Sequence, residues 1–264
     1  MSRAILLIIY GIIGFLAQFI DGTVGMGYGA FSASILIWIG IMPALASASI
    51  HTAEIFTTFF SGISHWKFGN VKKEWLLRLV IPGVIGGVLG AWFLASLPGN
   101  VMKPYVAGIL FIMGALMLYR FLRTRGDSSP SRLVKTLSHP KVSSRKIVAL
   151  GFIAAFFDAV GGGGWGPIAT PGLILTENEE PRKVVGTVNL AEFFITLAIA
   201  ITFFVVLGTE DYDWSMIGVL IIGGAIAAPL AAYLCSRMPA RLLGILVGLA
   251  LIGVNLGTLI NTLF

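Results

Sequence analysis

The chain has 264 residues, of which 57% are hydrophobic and only 11% charged, with a formal net charge of +6. Soluble domains carry about 25% charged residues, so this composition, with a mean hydropathy of +0.93, excludes an ordinary soluble globular protein and points to an integral membrane one. The basic excess does not signal nucleic acid, because the lysines and arginines fall in short loops between apolar runs, and the single cysteine, Cys235, allows neither an internal disulfide nor a multi-thiolate metal site.

In chain order, apolar segments are expected at 4–20, 30–41, 43–66, 75–97 and 104–122, and again at 147–160, 167–175, 183–207, 214–236 and 241–262. The last three of each set have roughly 19 to 25 residues, enough to cross a hydrocarbon core of about 30 Å. The first two of each set are shorter, and in the second set they have roughly 14 and 9 residues. Each such pair is expected to form a broken hairpin that either dips into the membrane or crosses it as two short helices. Met1, Ser2 and Arg3 before an apolar run have the look of a signal peptide, but a similar segment recurs inside the chain. The fold class is therefore an all-α polytopic membrane protein.

The recurrence is an internal repeat. Asp21 to Gly29 reads DGTVGMGYG and Asp158 to Gly166 reads DAVGGGGWG, sharing the aspartate, three glycines and an aromatic. Downstream, TAEIFTTFF (52–60) aligns with LAEFFITLA (190–198), placing Glu54 on Glu192 and His51 on Asn189, and AWFLASLP ending at Pro98 aligns with AYLCSRMP ending at Pro239. The predicted units are a first transmembrane repeat at 1–122, a basic linker at 123–146 and a second repeat at 147–264.

Charge predicts orientation. With three crossings and one hairpin per half, sixteen lysines and arginines share one side, from Lys67, Lys72, Lys73 and Arg78 to Arg237 and Arg241. Only Arg3 and Lys103 fall opposite, with the acidic loop Glu210, Asp211 and Asp213. The positive-inside rule then puts the 123–146 loop in the cytoplasm and both termini outside. The two halves start from opposite faces, so the repeat is expected to be inverted.

Four acids lie within the apolar segments or at their breaks: Asp21, Glu54, Asp158 and Glu192. Each costs about 2.5–3.5 kcal/mol at mid-membrane unless protonated, paired or wetted, and none has a lysine or arginine at helical spacing. Either they tie broken helices together, or they are protonatable groups around a wet cavity. Irregular backbone at membrane depth is tolerated only where it is enclosed by protein or lines a cavity, and inverted repeats place half-helix N-termini, which favour anions, at such breaks. Gly25, Gly27 and Gly29, with Gly162, Gly164 and Gly166, are therefore candidate substrate-binding positions, with Tyr28 and Trp165 walling the site. Close helix packing through small residues is the competing account of these glycines, and the better one for Gly83–Gly87, Gly86–Gly90 and Gly244–Gly248. Pro167 suits a first helical turn.

His51 and Asn189 sit three residues before Glu54 and Glu192. Asn189 is a candidate substrate contact, and His51 is either a proton carrier or a satisfied polar residue. Ser47, Ser49 and Thr187 either donate to an anion or bond their own backbone. GMGYGA is a poor nucleotide fingerprint because no strand pattern precedes it. No nucleophile motif and no HExxH is present, and His65, His139 and Cys235 do not cluster in sequence. Catalytic residues, a resident metal and cofactors are not expected.

These residues resemble the sulfite exporter TauE/SafE family, also called the toluene sulfonate uptake permease family. The resemblance spans nearly the whole chain and rests on the duplicated Asp-to-Gly loop with its aromatic, the Ala53–Glu54 and Ala191–Glu192 pairs, the proline-containing helix ends and the size. It implies a multi-pass transporter of the bacterial or archaeal inner membrane, moving a small sulfur-containing anion such as sulfite or an organosulfonate, with or without coupled protons. A cation or divalent-metal permease using the four carboxylates is the alternative. Partners are then the anion, protons if coupled, and the lipid bilayer.

Overall fold

A computed structural model describes residues 3–123, 144–176, 181–235 and 240–263. The expected basic linker therefore lies outside the described residues except at its ends, as do His139, Arg237 and Pro239. Ten helices are described: α1 (Arg3–Val24), α2 (Tyr28–Trp38), α3 (Pro43–Lys67), α4 (Lys73–Ala95), α5 (Gly99–Arg123), α6 (Ser144–Gly161), α7 (Trp165–Thr176), α8 (Pro181–Leu207), α9 (Trp214–Leu234) and α10 (Ala240–Leu263). Among the described residues there is no strand.

Six helices (α1, α4, α5, α8, α9 and α10) are long and apolar enough to cross a membrane. Their outer faces carry apolar stripes at helical spacing, such as Ile5, Ile8, Ile12 and Leu16 on α1 and Leu77, Ile81 and Ile85 on α4, all exposed. In water such patches would drive association, whereas lipid solvates them. The interior is the polar part. α3 is 25 residues long and is not among the six, because Ser47, His51, Glu54, Thr58, Ser61 and His65 run down its length, every one buried. Protein rather than lipid solvates that stripe.

The expected short first segment is longer than its apolar run. α1 has 22 residues, about 33 Å at 1.5 Å per residue, so by length it can cross alone. It continues past Ile20 because Thr23 donates its hydroxyl to the carbonyls of Phe19 (2.7 Å) and Ile20 (3.0 Å), and the Gly25 N–H closes back on Asp21 O at 2.6 Å. Asp21 and Asp158 thus sit in the last turn of α1 and α6. The breaks are Gly25–Gly27 and Gly162–Gly164. Gly25, Gly27 and Gly162 have φ of 75°, 135° and 70°, the left-handed region that L side chains resist. α2 and α7, of 11 and 12 residues, are half-membrane helices.

Elements of the two halves interleave. α1 packs on α9, α6 on α4, α5 on α10 and α3 on α8. α1 and α9 run parallel, with Gly14 at Leu220 and Gly22 at Ala231, and so do α6 and α4, with Gly151 at Leu79 and Phe156 at Gly90. α3 and α8 run antiparallel, because Ser61 meets Asn189 while Glu54 meets Thr196. α5 and α10 are antiparallel too, with Gly114 at Leu251 and Phe121 at Gly244. Gly83, Gly86 and Gly87 serve close packing, against Ile195, Phe152 and Ile199.

Candidate functional site

The two breaks meet backbone to backbone at the centre of the molecule. A Cβ on Gly29 would strike the Gly162 carbonyl, one on Gly163 would strike Ala30 N, and one on Gly166 would lie 2.5 Å from Met26 Cα. The missing side chains at these positions are filled by the opposite break. Thr170 ties them together by donating its hydroxyl to the Gly25 carbonyl.

Each half-helix N-terminus holds an aspartate of its own half. Trp165 N–H donates to Asp158 Oδ1 at 3.0 Å, and Tyr28 N–H likewise donates to the Asp21 carboxyl. Both carboxyls are buried, and each covers one orphan N–H at a positive helix end. The Trp165 indole N–H donates to Val188 O at 3.1 Å, which fixes the ring.

The third helix of the opposite half completes each aspartate's surroundings. His51 Nε2 lies 3.2 Å from Asp158 Oδ2 and 3.8 Å from Glu54 Oε2. Its Nδ1 is 2.7 Å from Ser47 O, a carbonyl that can only accept, so Nδ1 carries a hydrogen. Neutral His51 therefore has a bare Nε2, and a hydrogen bond across the 3.2 Å to Asp158 would need one further proton between the two groups. Ser47 gives its own hydroxyl hydrogen to Ala159 O at 2.7 Å, holding α3 against the α6 end. Asn189, the counterpart of His51, lies beside Asp21 and accepts from the Ser61 hydroxyl at 2.6 Å.

Glu54 accepts from Thr196 Oγ1 at 3.2 Å. Glu192 is buried within electrostatic reach of Asp21, Glu54 and Asp158. The structure therefore gathers all four expected acids, both aromatics, His51 and Asn189 into one buried region around the breaks. Thr187 stands apart, donating to Lys183 O at 2.6 Å and accepting from Lys72 N at 2.8 Å. His65 stands apart as well, donating to Gly22 O at 3.1 Å and accepting from Asn70 at 3.2 Å.

Residue-by-residue reading of the sequence missed Gln18, Thr57 and Thr196. Buried polar atoms without a hydrogen-bond partner include both ends of the Gln18 amide, Asp21 Oδ2 and Glu192 Oε2, while the buried Tyr28 and Thr57 hydroxyls have only each other. Buried polar groups are normally paired, and each exception asks for an explanation. A lipid-facing shell, a polar interior and two breaks meeting within it define a multi-pass helical membrane protein with an enclosed polar centre.

A family profile described as Sulfite exporter TauE/SafE matches residues 10–258, and the chain belongs to that family of membrane transporters. It is 48% identical over 255 residues to the "Probable membrane transporter protein YtnM" of Bacillus subtilis (strain 168), covering 97% of this chain and 83% of that protein. "Probable membrane transporter protein YdhB" of the same organism is 24% identical over 229 residues, covering 85% of this chain and 89% of that protein. "Probable membrane transporter protein ORF9" of Sinorhizobium sp is 27% identical over 213 residues, covering 80% and 71% respectively. No solved structure matches.

Proposed function

We propose that the protein is a secondary transporter of a small sulfur-containing anion, sulfite or an organosulfonate, whose site lies where the two glycine breaks meet. The observation that carries this reading is the buried set of donors beside the breaks: the Gln18 amide, which has no partner, and the Tyr28 and Thr57 hydroxyls, which have only each other. Hydroxyl and amide donors aimed inside a membrane suit an oxyanion, and the family description names sulfite. The glycines let the breaks close on each other, while Tyr28, Trp165 and Asn189 shape the space beside them.

The antiparallel α3/α8 and α5/α10 pairs support an inverted repeat, since these helices are counterparts in the two halves. Arg3, at the start of α1, donates to Ser215 Oγ at 3.3 Å, in line with an N-terminus on the side of the acidic 210–213 loop. We place that side outside and the basic linker in the cytoplasm of an inner-membrane protein. Four carboxyls and an anion repel unless protons intervene. The His51–Asp158 contact, which would need a proton between its partners to be a hydrogen bond, is the geometric argument for proton coupling, because proton and anion binding would then reinforce one another.

One observation favours the rival divalent-cation permease: ligand atoms of His51, Glu54 and Asp158 lie within 4.8 Å of one another. Currents on a solid-supported membrane separate the two readings. The reconstituted protein is expected to respond to sulfite or toluene sulfonate jumps, and a response to divalent cations alone would replace the anion reading with the cation one.

A further inference from the structure

The two halves differ in which of them carries the unpartnered polar groups. Aligned through the repeat, Gln18 corresponds to Ala155, Tyr28 to Trp165, Thr57 to Ile195 and Ser61 to Ile199. The packing positions correspond as well. A Cβ on Gly83 of α4 would meet Ile195, and one on its counterpart Gly224 of α9 would meet Thr57 and lie 3.5 Å from the Tyr28 ring. Gly87 is covered by Ile199. One side of the molecule, at α4 and α8, is therefore sealed by isoleucine.

The other side, along α9, is lined by polar groups. Gln18 is fully buried, and neither its amide nitrogen nor its amide oxygen has a partner; the Tyr28 and Thr57 hydroxyls lie together and have no partner besides each other. Because α1 runs parallel to α9, with Gly14 at Leu220 and Gly22 at Ala231, Gln18 falls between those levels, beside the Gly224 level that Tyr28 and Thr57 occupy. Its amide nitrogen and Ser61 Oγ each lie 3.7 Å from the Cβ position of Gly22.

We propose that the substrate binds off the pseudo-symmetry axis, on the α1–α3–α9 side, with the Gln18 amide and the Tyr28–Thr57 hydroxyl pair donating to its oxygens, while Ile195 and Ile199 plug the equivalent space on the other side. The ligand class is a small oxyanion with several acceptor oxygens, and the inference rests on the anion reading above. One amide is a minor fraction of a transporter's surface, yet leaving both of its ends unmet in the core is a standing penalty. Groups retained at such a cost are characteristic of binding sites.

The test uses the full-length protein in detergent, with binding of sulfite and of toluene sulfonate measured together with thermal unfolding. Gln18→Leu removes the unmet amide at similar volume. It is expected to weaken binding at least tenfold while leaving the unfolding temperature equal or higher, and Thr57→Val is expected to weaken binding likewise. Ile195→Thr, on the sealed side, is expected to keep affinity within twofold. Normal binding by Gln18→Leu overturns the proposal, and so does a lowered unfolding temperature, since the amide would then serve the fold. An equal loss of affinity in Ile195→Thr overturns the one-sided placement. If the unaltered protein binds neither anion, the sulfur-anion reading fails by itself. The stability arm then still judges Gln18: a stabilised Gln18→Leu keeps it as a ligand group, and a destabilised one removes it.

Discussion

Replacing His51 by alanine tests the contact on which the proton argument depends. The imidazole is fully buried and reaches Asp158 Oδ2 at 3.2 Å. Without it, Asp158 keeps Trp165 N–H on Oδ1, but Oδ2 loses its partner. Two magnitudes bracket the cost. Breaking a buried ion pair costs about 3–5 kcal/mol because a charge is left uncompensated. Leaving a neutral buried group unmet costs about 1–3 kcal/mol. At about 2–4 °C per kcal/mol for a large domain, His51→Ala should lower the unfolding temperature by about 6–20 °C if the pair is ionised and by about 2–12 °C if it is neutral. The assay is thermal unfolding of purified protein in detergent, with Asp158→Asn and the double variant alongside. Since the two residues touch, the double variant should lose less than the sum of the singles, by at least about 1 kcal/mol. Strict additivity, or His51→Ala melting with the unaltered protein, would refute the shared proton.

Gly163→Val and Gly29→Val should abolish folding or transport, because each new Cβ lands on the backbone of the opposite break, whereas Gly108→Ala, with nothing within 4 Å, should be neutral or gain about 0.5–1 kcal/mol; expression and melting decide. Gly164→Val should lower folded yield rather than binding alone, since its Cβ would sit 2.7 Å from Asp158 N, and size-exclusion profiles check this. Glu54→Gln and Glu192→Gln should keep anion binding and lose its pH dependence, measured as affinity against pH in liposomes; an unchanged pH profile in the combined variant rules out proton carriage by the glutamates. Cysteines placed in the 123–146 loop should resist membrane-impermeant reagents in intact cells, and labelling from outside would invert the topology.

Much of the fold was legible because lipid imposes a simple code. Long apolar runs gave α4, α5, α8, α9 and α10 nearly in register, and the duplicated Asp-to-Gly loop marked both breaks. The end of α1 was less legible, since Asp21, Gly22 and Thr23 read as a stop on hydropathy. Only the structure shows Thr23 bonding back to Phe19 and Ile20, inside protein. The polar face of α3 was passed over, because 43–66 was read as an apolar crossing, although Ser47, His51, Glu54, Thr58, Ser61 and His65 are spaced four or three apart. It is the outline of an amphipathic helix turned inward. Gln18 carried no such pattern. A single amide in an apolar run reads as tolerated noise until its surroundings show that nothing meets it.

The four acids need not share one electrostatic state, and the structure separates them by what each is given in return for burial. Asp158 has a backbone N–H, at the positive end of α7, and an imidazole. Asp21 has the corresponding N–H of α2 but an amide neighbour in place of the imidazole, and its Oδ2 is unmet. Glu54 has a threonine hydroxyl and, at 3.8 Å, the same imidazole. Glu192 Oε2 has no partner. A buried ionised carboxyl is tolerable in proportion to such compensation, and the compensation is greatest at Asp158 and least at Glu192. The aspartates are pinned at helix ends, whereas the glutamates lie mid-helix on the antiparallel pair α3 and α8. On the proton-coupled reading proposed above, a carrier must be able to change its charge without unfolding its own site, and that argument favours the two glutamates over the two aspartates as the groups to test.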